Sequence, residues 1–109
     1  MAFGKADIES MLRELHEAID KKLVRVADRN KNKNTMARLG FLYSDVIDEL
    51  RSITAHDYIK GPDYDYNDIQ KGPCIWVFKR YIDGHMIYIK FYVHSLPIYV
   101  ISFHFDETF

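Results

Sequence analysis

The chain has 109 residues, of which 48% are hydrophobic and 15% aromatic, and its formal net charge is −1 at pH 7. This length fits one domain with a small hydrophobic core, which we expect to cover residues 1–109. The sequence has no apolar run long enough to cross a membrane, and its first residues carry acids instead of a signal peptide. We therefore expect a cytoplasmic protein that makes no membrane contact.

The small net charge conceals one strongly basic segment. Residues 21–38 contain seven lysines and arginines against the single acid Asp28. A segment of this kind can contact phosphate groups. The alternative for a charge run is a solvated loop without a binding role.

The N-terminal third predicts a helix followed by a short strand. Apolar residues recur at intervals of three and four over residues 6–20, which predicts an amphipathic helix with Asp7 at its N-cap. Residues 23–27 favour a short strand. The following stretch, residues 29–34, reads RNKNKN and predicts a loop.

The middle of the chain predicts further helical segments and then a long loop. Residues 35–39 favour a short helix that ends at Gly40. Ser44 is predicted to cap a second helix that runs through residue 53, and Thr54 to cap one further turn. Two Gly-Pro pairs bracket residues 61–73, a composition typical of loops, and long loops in small domains are often functional.

The last third predicts a three-stranded antiparallel sheet. Two alternating segments flank residues 83–84, an Asp-Gly pair that suits a type I′ turn and places Lys79 opposite Tyr88. A third strand over residues 98–105 then brings His104 beside Tyr88. Together with the helices, this predicts an α+β fold with N-terminal helices packed on a C-terminal antiparallel sheet.

Alternation along the strands assigns a core face and a polar face to this sheet. The predicted core face collects Trp76, Phe78, Ile87, Ile89 and Phe91 with Tyr99, Ile101, Phe103 and Phe105 of the third strand. The predicted polar face collects Lys79, Tyr88, Lys90, Tyr92, Ser102 and His104. Lysines can stabilise a phosphorane-like transition state, histidine can transfer a proton near neutral pH, and tyrosines can stack on bases. An ordinary solvated sheet face is the alternative.

The sequence indicates neither a metal site nor a cofactor. The five histidines are scattered without metal-ligand spacing, and the aspartates at 63, 65 and 68 lack the glycine and glutamate of a calcium-binding loop. Cys74, the only cysteine, cannot form an internal disulfide. It lies in an apolar strand and is predicted to be a buried free thiol.

Three stretches of the sequence resemble the MqsR family of type II toxin–antitoxin toxins. They are DYIKGPDYD, IWVFKRYIDGHMIYIKF and the terminal ISFH, and the resemblance covers residues 8–106. It implies a RelE-like fold and an endoribonuclease activity that cleaves single-stranded mRNA without a metal ion. It also implies a cognate antitoxin protein as a partner.

The resemblance assigns four catalytic positions. The lysine of the DYxK turn falls on Lys60, the YxK strand motif falls on Tyr88 and Lys90, and the basic residue after Ser-Phe falls on His104. The resemblance implies that the two lysines stabilise charge at the phosphate. His104 would act as general acid or base, and Tyr88 would position the substrate or transfer a proton.

Other residues are expected to bind RNA around these groups, and one position departs from the family pattern. The expected RNA-binding residues are Lys79, Arg25, Arg29 and Tyr92. The family's glutamine after the strand tryptophan is replaced here by Val77, which cannot bind a phosphate. Either Lys79 takes over that work or the site is rearranged.

Two other classes of function fit the same residues. The chain could be a non-catalytic module that uses residues 21–38 and the polar sheet face to hold nucleic acid or protein. It could instead be an inhibitory interaction protein whose contact surface is formed by Tyr64, Tyr66, Tyr92 and Tyr99, since tyrosine is enriched at interfaces. RNA binding without cleavage would favour the first class, and a stoichiometric protein partner without RNA affinity would favour the second.

Overall fold

A computed structural model of the chain describes residues 4–107. The predicted single domain also includes residues 1–3 and 108–109, which lie outside the described range. The helices are α1 (Lys5–Asp20), α2 (Asn30–Leu39) and α3 (Tyr43–Arg51). The strands are β1 (Val24–Val26), β2 (Tyr58–Tyr64), β3 (Pro73–Ile82), β4 (His85–Tyr92) and β5 (Ile98–Phe105). No helix within residues 4–107 combines the length and apolarity needed to cross a membrane.

Helices α1 and α3 are capped in the same way, each by an aspartate in its first turn. Helix α1 begins after Gly4, and the carboxylate of Asp7 accepts the Gly4 N–H at 3.0 Å. Asp7 is therefore inside the helix, three residues after the observed N-cap Gly4, and is not the N-cap that the sequence predicted. The same arrangement starts α3, where Asp45 accepts the Leu42 N–H at 2.7 Å and the predicted cap, Ser44, lies in the first turn. A carboxylate there satisfies an N–H that the helix leaves unpaired and favours the positive end of the helix dipole.

Helix α2 replaces the predicted loop at residues 29–34. It runs without interruption from Asn30 to Leu39 and ends at Gly40, whose φ of 70° is the predicted left-handed helix end. Asparagine, which occupies positions 30, 32 and 34, has a low helix propensity and weakens the helix signal of this segment. The helix forms here because two of its polar side chains, Asn32 and Thr35, are buried against β5.

The sheet has five strands in the order β1-β5-β4-β3-β2. Its centre is the predicted antiparallel set, with Lys79 paired with Tyr88 and Tyr88 paired with His104, so both predicted registers are confirmed there. The predicted three-stranded sheet lacked one strand at each edge. Strand β1 adds to it in parallel with β5, and β2 adds antiparallel to β3. Strand β2 takes the first part of the segment that the sequence predicted to be a loop, residues 61–73.

Half of the predicted face assignment for β5 is wrong because the strand contains a β-bulge. Pairing passes from Lys90–Ser102 to Phe91–Val100, which leaves Ile101 as the extra residue. One extra residue reverses the alternation of the residues that precede it. Tyr99, predicted to be in the core, is consequently 46% exposed, whereas Ile98 and Val100 are buried in its place. Ile101 also leaves the core, and it lines the polar face.

The core lies between the helices and one face of the sheet. Its strand residues include Trp76, Phe78, Ile87, Ile89 and Phe91, as predicted, and α1 and α3 supply apolar side chains opposite them. Cys74 is buried as a free thiol, also as predicted. Because both helices cover the same face, the opposite face is left for the functional site.

Candidate active site

Side chains on the face opposite the core form two rows that cross neighbouring strands. Sheet register aligns Val77 with Lys90 and Lys90 with Ser102, while Lys60 of β2 pairs with Val77 at the outer end. The next row aligns Lys79, Tyr88 and His104. The four predicted catalytic residues therefore lie in two adjacent rows. Residues that are far apart in sequence meet because β2, β4 and β5 belong to one sheet.

A pocket of about 430 Å³ occupies the first row, and we call it the central pocket. Seven of its lining residues are Lys60, Ile75, Val77, Tyr88, Lys90, Tyr92 and Ile101. A wall is added by Asp63, Tyr64, Asp65, Tyr66 and Asn67. Lys60, Tyr88 and Lys90 thus share one pocket of a size typical of ligand sites.

The wall of the central pocket comes from the segment that the sequence predicted to be a loop. Asp65 accepts the backbone N–H of Asn67 at 3.0 Å, which closes a tight turn after β2. The segment then passes through a short 3₁₀ turn, Ile69–Lys71, before β3. Sequence reasoning did not assign the wall residues to the site. The signal available was the length of the predicted loop, since long loops in small domains are often functional.

Lys60 is held at the rim of the central pocket by the way β2 approaches β3. Gly61 has a φ of +114°, and a side chain there would place its Cβ 2.5 Å from the Ile75 carbonyl oxygen. The hydroxyl of Tyr58, three residues earlier in β2, donates a hydrogen bond to the Gly61 carbonyl. Lys60 itself is exposed, and its amine lies 3.8 Å from the carboxylate of Asp63. An exposed pair at that distance contributes little to stability, so the amine can exchange Asp63 for a phosphate.

His104 and Tyr88 form a stacked pair beside the central pocket. Their ring centroids are 5.4 Å apart and their planes differ by 20°. Nδ1 of His104 lies 3.0 Å from the carbonyl oxygen of Phe105. A carbonyl oxygen only accepts, so Nδ1 donates and carries the proton. In neutral His104 this leaves Nε2 as the nitrogen that can accept a proton.

Lys79 is placed in the second row but is already paired. Its amine lies 2.9 Å from the carboxylate of Asp106, and the two side chains are only 23% and 11% exposed. Lys79 is not among the residues that line the central pocket. The replacement of the family's glutamine by Val77 is therefore not offset by Lys79 in this arrangement.

The remaining predicted RNA-binding residues fall in different places. Arg29 reaches the first row, where its guanidinium donates to the Ser102 hydroxyl at 3.0 Å and to the Ile101 carbonyl at 3.2 Å. Arg25 is not brought to the site, because its guanidinium donates to the carbonyls of Lys22 and Val24 near the edge of the sheet.

Tyr92 lines the central pocket. The amine of Lys71 lies over the Tyr92 ring, 5.1 Å from its centroid. A hydrogen bond with Tyr92 raises the pKa of Lys71 above its usual range. The contact places a cation beside Tyr92, although Lys71 itself is not among the residues that line the central pocket.

The arrangement can bind a phosphate and move a proton. Lys60 and Lys90 supply positive charge, and His104 and Tyr88 supply groups that donate or accept protons. Among residues 4–107, no three His, Cys, Asp or Glu side chains come together as a group able to hold a metal ion. The chemistry available from the described side chains is that of charge stabilisation and acid–base catalysis.

Fold and site define a small α+β protein with helices on one face of a mixed sheet and a polar pocket with basic and proton-transferring groups on the other. The family model described as "Motility quorum-sensing regulator, toxin of MqsA" matches residues 8–105, and the chain belongs to this family. It is therefore an MqsR-family toxin of a toxin–antitoxin system. No curated protein and no solved structure matches the chain.

Proposed function

We propose that the protein is an endoribonuclease that cleaves single-stranded mRNA in the cytoplasm without a metal ion. The observation that carries the proposal is the convergence of Lys60, Tyr88 and Lys90 on the central pocket, with His104 stacked on Tyr88. Charged groups that stabilise the phosphate and a nearby acid–base pair are sufficient for attack by the RNA's own 2′-hydroxyl.

In the proposed reaction, the 2′-oxygen attacks the adjacent phosphorus and the bond from phosphorus to the 5′-oxygen breaks. The products are a 2′,3′-cyclic phosphate and a 5′-hydroxyl. Nε2 of His104 accepts the 2′-hydroxyl proton, since Nδ1 is held by the Phe105 carbonyl. Lys60 and Lys90 stabilise the negative charge that builds up on the phosphate oxygens. The Tyr88 hydroxyl positions the phosphate or donates the proton to the leaving oxygen.

We further propose that a cognate antitoxin protein holds the toxin inactive. The exposed tyrosines Tyr64 and Tyr66 line the same pocket as the proposed catalytic groups, and Tyr66 is 89% exposed. A partner that covered these tyrosines would also close the central pocket to RNA.

The test is cleavage of single-stranded RNA in EDTA by the parent protein and by His104→Ala. We expect specific fragments from the parent and roughly a hundredfold or greater loss of rate in the variant, because general acid–base catalysis contributes about 10²–10⁴-fold. The matched control is His56→Ala, since His56 is an exposed histidine outside the site. The proposal fails if the parent produces no specific fragments, or if His104→Ala cuts as well as His56→Ala. RNA that is bound but never cut would point to a binding module.

A further inference from the structure

The basic segment that the sequence singled out lies partly along a second groove, next to His104. Helix α2 presents Lys31, Asn34 and Arg38 on one side, at spacings of three and four residues that share a helix face. Together with Thr35, Ala37, His104, Phe105 and Glu107, they line a groove of about 360 Å³, which we call the α2 groove. The groove carries two cations against one carboxylate.

The walls of the α2 groove are fixed to each other by direct contacts between α2 and β5. The Thr35 hydroxyl accepts the backbone N–H of Phe105 at 3.2 Å. The guanidinium carbon of Arg38 lies 4.4 Å from the centroid of the Phe105 ring, a cation–π contact. Arg38 is therefore held at the groove with its donors able to reach an anion.

The α2 groove and the central pocket meet at the Tyr88–His104 pair. Tyr88 lines the central pocket, His104 lines the α2 groove, and the two rings stack. A phosphate that contacts His104 would have Lys60 and Lys90 on one side and the basic face of α2 on the other. An RNA strand has a phosphate at every nucleotide, so its next phosphate would fall on one of these two sides.

We propose that the α2 groove is a second RNA subsite, which binds the nucleotide next to the scissile phosphate. Lys31 and Arg38 contact the phosphate of that nucleotide, and the Asn34 amide contacts its sugar or base. The inference rests on the proposed endoribonuclease function. It extends that function because it gives a binding site to the part of the RNA strand beyond the reacting phosphate.

The experiment measures binding of a pool of short single-stranded RNAs of mixed sequence, with every ribose 2′-O-methylated so that no 2′-hydroxyl can attack. We expect the double variant Lys31→Ala/Arg38→Ala to bind roughly tenfold more weakly than the parent at moderate salt. The dependence of log affinity on log salt should also flatten by about 0.7, since both side chains contact the same phosphate and each single-strand phosphate contact contributes about 0.7.

The matched control is Lys33→Ala, which removes a lysine from the same helix but not from the α2 groove. Lys33 is paired with Asp28 at 2.6 Å and is not among the groove residues. Lys31→Ala alone should weaken binding more than Lys33→Ala, and Arg38→Lys, which keeps the charge, should retain most of the affinity. Equal binding by Lys31→Ala, Lys33→Ala and the double variant would overturn the subsite, as would a parent that does not bind the blocked RNA.

Cleavage of unmodified RNA separates this inference from the proposed function. If the subsite acts on the strand, the double variant raises KM more than it lowers kcat. A parent that binds the blocked RNA through Lys31 and Arg38 but never cuts unmodified RNA would defeat the proposed enzyme while leaving the subsite in place. A parent that cuts RNA, with KM unchanged in the double variant, would defeat the subsite alone.

Discussion

Gly61 is the residue that determines how closely the Lys60 segment approaches the sheet. Its φ of +114° lies in a region that side chains rarely adopt, and the space for a Cβ is occupied by the Ile75 carbonyl oxygen, 2.5 Å away. Both facts require glycine at this position. The pairing of β2 shifts register on both sides of Lys60, between Tyr58 and Lys60 and between Lys60 and Asp63. Lys60 therefore reaches the central pocket only while β2 stays close to β3.

Gly61→Ala is expected to lower the free energy of unfolding by about 3 kcal/mol or more, because it adds a steric conflict with backbone to conformational strain of about 1–3 kcal/mol. The control is Gly40→Ala, whose φ of +70° gives similar strain but whose Cβ would meet no atom within 4 Å. That variant should lose only about 1–2 kcal/mol. Urea denaturation of both variants provides the measurement. Equal losses would show that the close approach of β2 to β3 is not the limiting constraint.

At the scale of elements, α2 takes the place of a strand along the outer half of β5. Strand β1 pairs only with residues 98–100. Beyond that point, the side-chain amide of Asn32 donates to the Ile101 carbonyl at 3.1 Å, and its oxygen accepts the Phe103 N–H at 2.9 Å. The same amide donates to the Ala27 carbonyl at 3.0 Å. Polar side chains of α2 thus form hydrogen bonds with the backbone groups of β5 along an edge that would otherwise be open to pairing with another chain.

Asn32→Ala is expected to lower the free energy of unfolding by about 2–4 kcal/mol. The substitution leaves buried partners in β5 without a hydrogen bond, each at a cost of about 1–3 kcal/mol, and Asn32 is only 1% exposed. Asn34→Ala, an exposed change on the same helix, should stay within about 0.5 kcal/mol of the parent. Denaturant unfolding gives these values, and hydrogen exchange should show a faster Phe103 amide only in Asn32→Ala. Similar unfolding midpoints for the two variants would contradict the role given to Asn32.

At the scale of the whole molecule, the helices divide the sheet into a covered face and a working face. Helices α1 and α3 contribute to the core on one side. On the working face, the central pocket, the Tyr88–His104 pair and the α2 groove lie next to one another. The formal net charge of −1 does not describe the working face, where Lys60 and Lys90 line the central pocket together with Asp63 and Asp65. Two cations, Lys31 and Arg38, line the α2 groove with the single acid Glu107.

Production of the intact protein in a bacterial host is expected to arrest growth, because the proposed cleavage of mRNA would stop protein synthesis. His104→Ala should accumulate as a folded protein and leave growth near normal. Co-production of the product of a small neighbouring gene should restore growth with the parent toxin by forming a stable complex. Growth curves and co-purification supply the measurement. Arrest by His104→Ala at the parent's level would mean that toxicity does not depend on the proposed reaction.

The sequence by itself determined the centre of the sheet and its two faces. Asp83-Gly84 favours one turn type, and residues alternate with a period of two on either side, so local rules were enough to pair Lys79 with Tyr88 and to place Lys90 and His104 on one face. The same local rules located α1 and the helix end at Gly40. The family resemblance added roles for those residues, and the family match over residues 8–105 bears out the family.

Only the tertiary structure decided the features that depend on distant partners. The helix at residues 30–34 forms because Asn32 is bonded to β5, about seventy positions later in the chain. The bulge at Ile101 turns Tyr99 outward because the register between β4 and β5 changes after Lys90. The wall of the central pocket and the pairing of Lys79 with Asp106 likewise arise from contacts between separate elements. Turn chemistry and alternation act over a few residues, whereas these hydrogen bonds, ion pairs and changes of register exist only once the strands and helices have packed together.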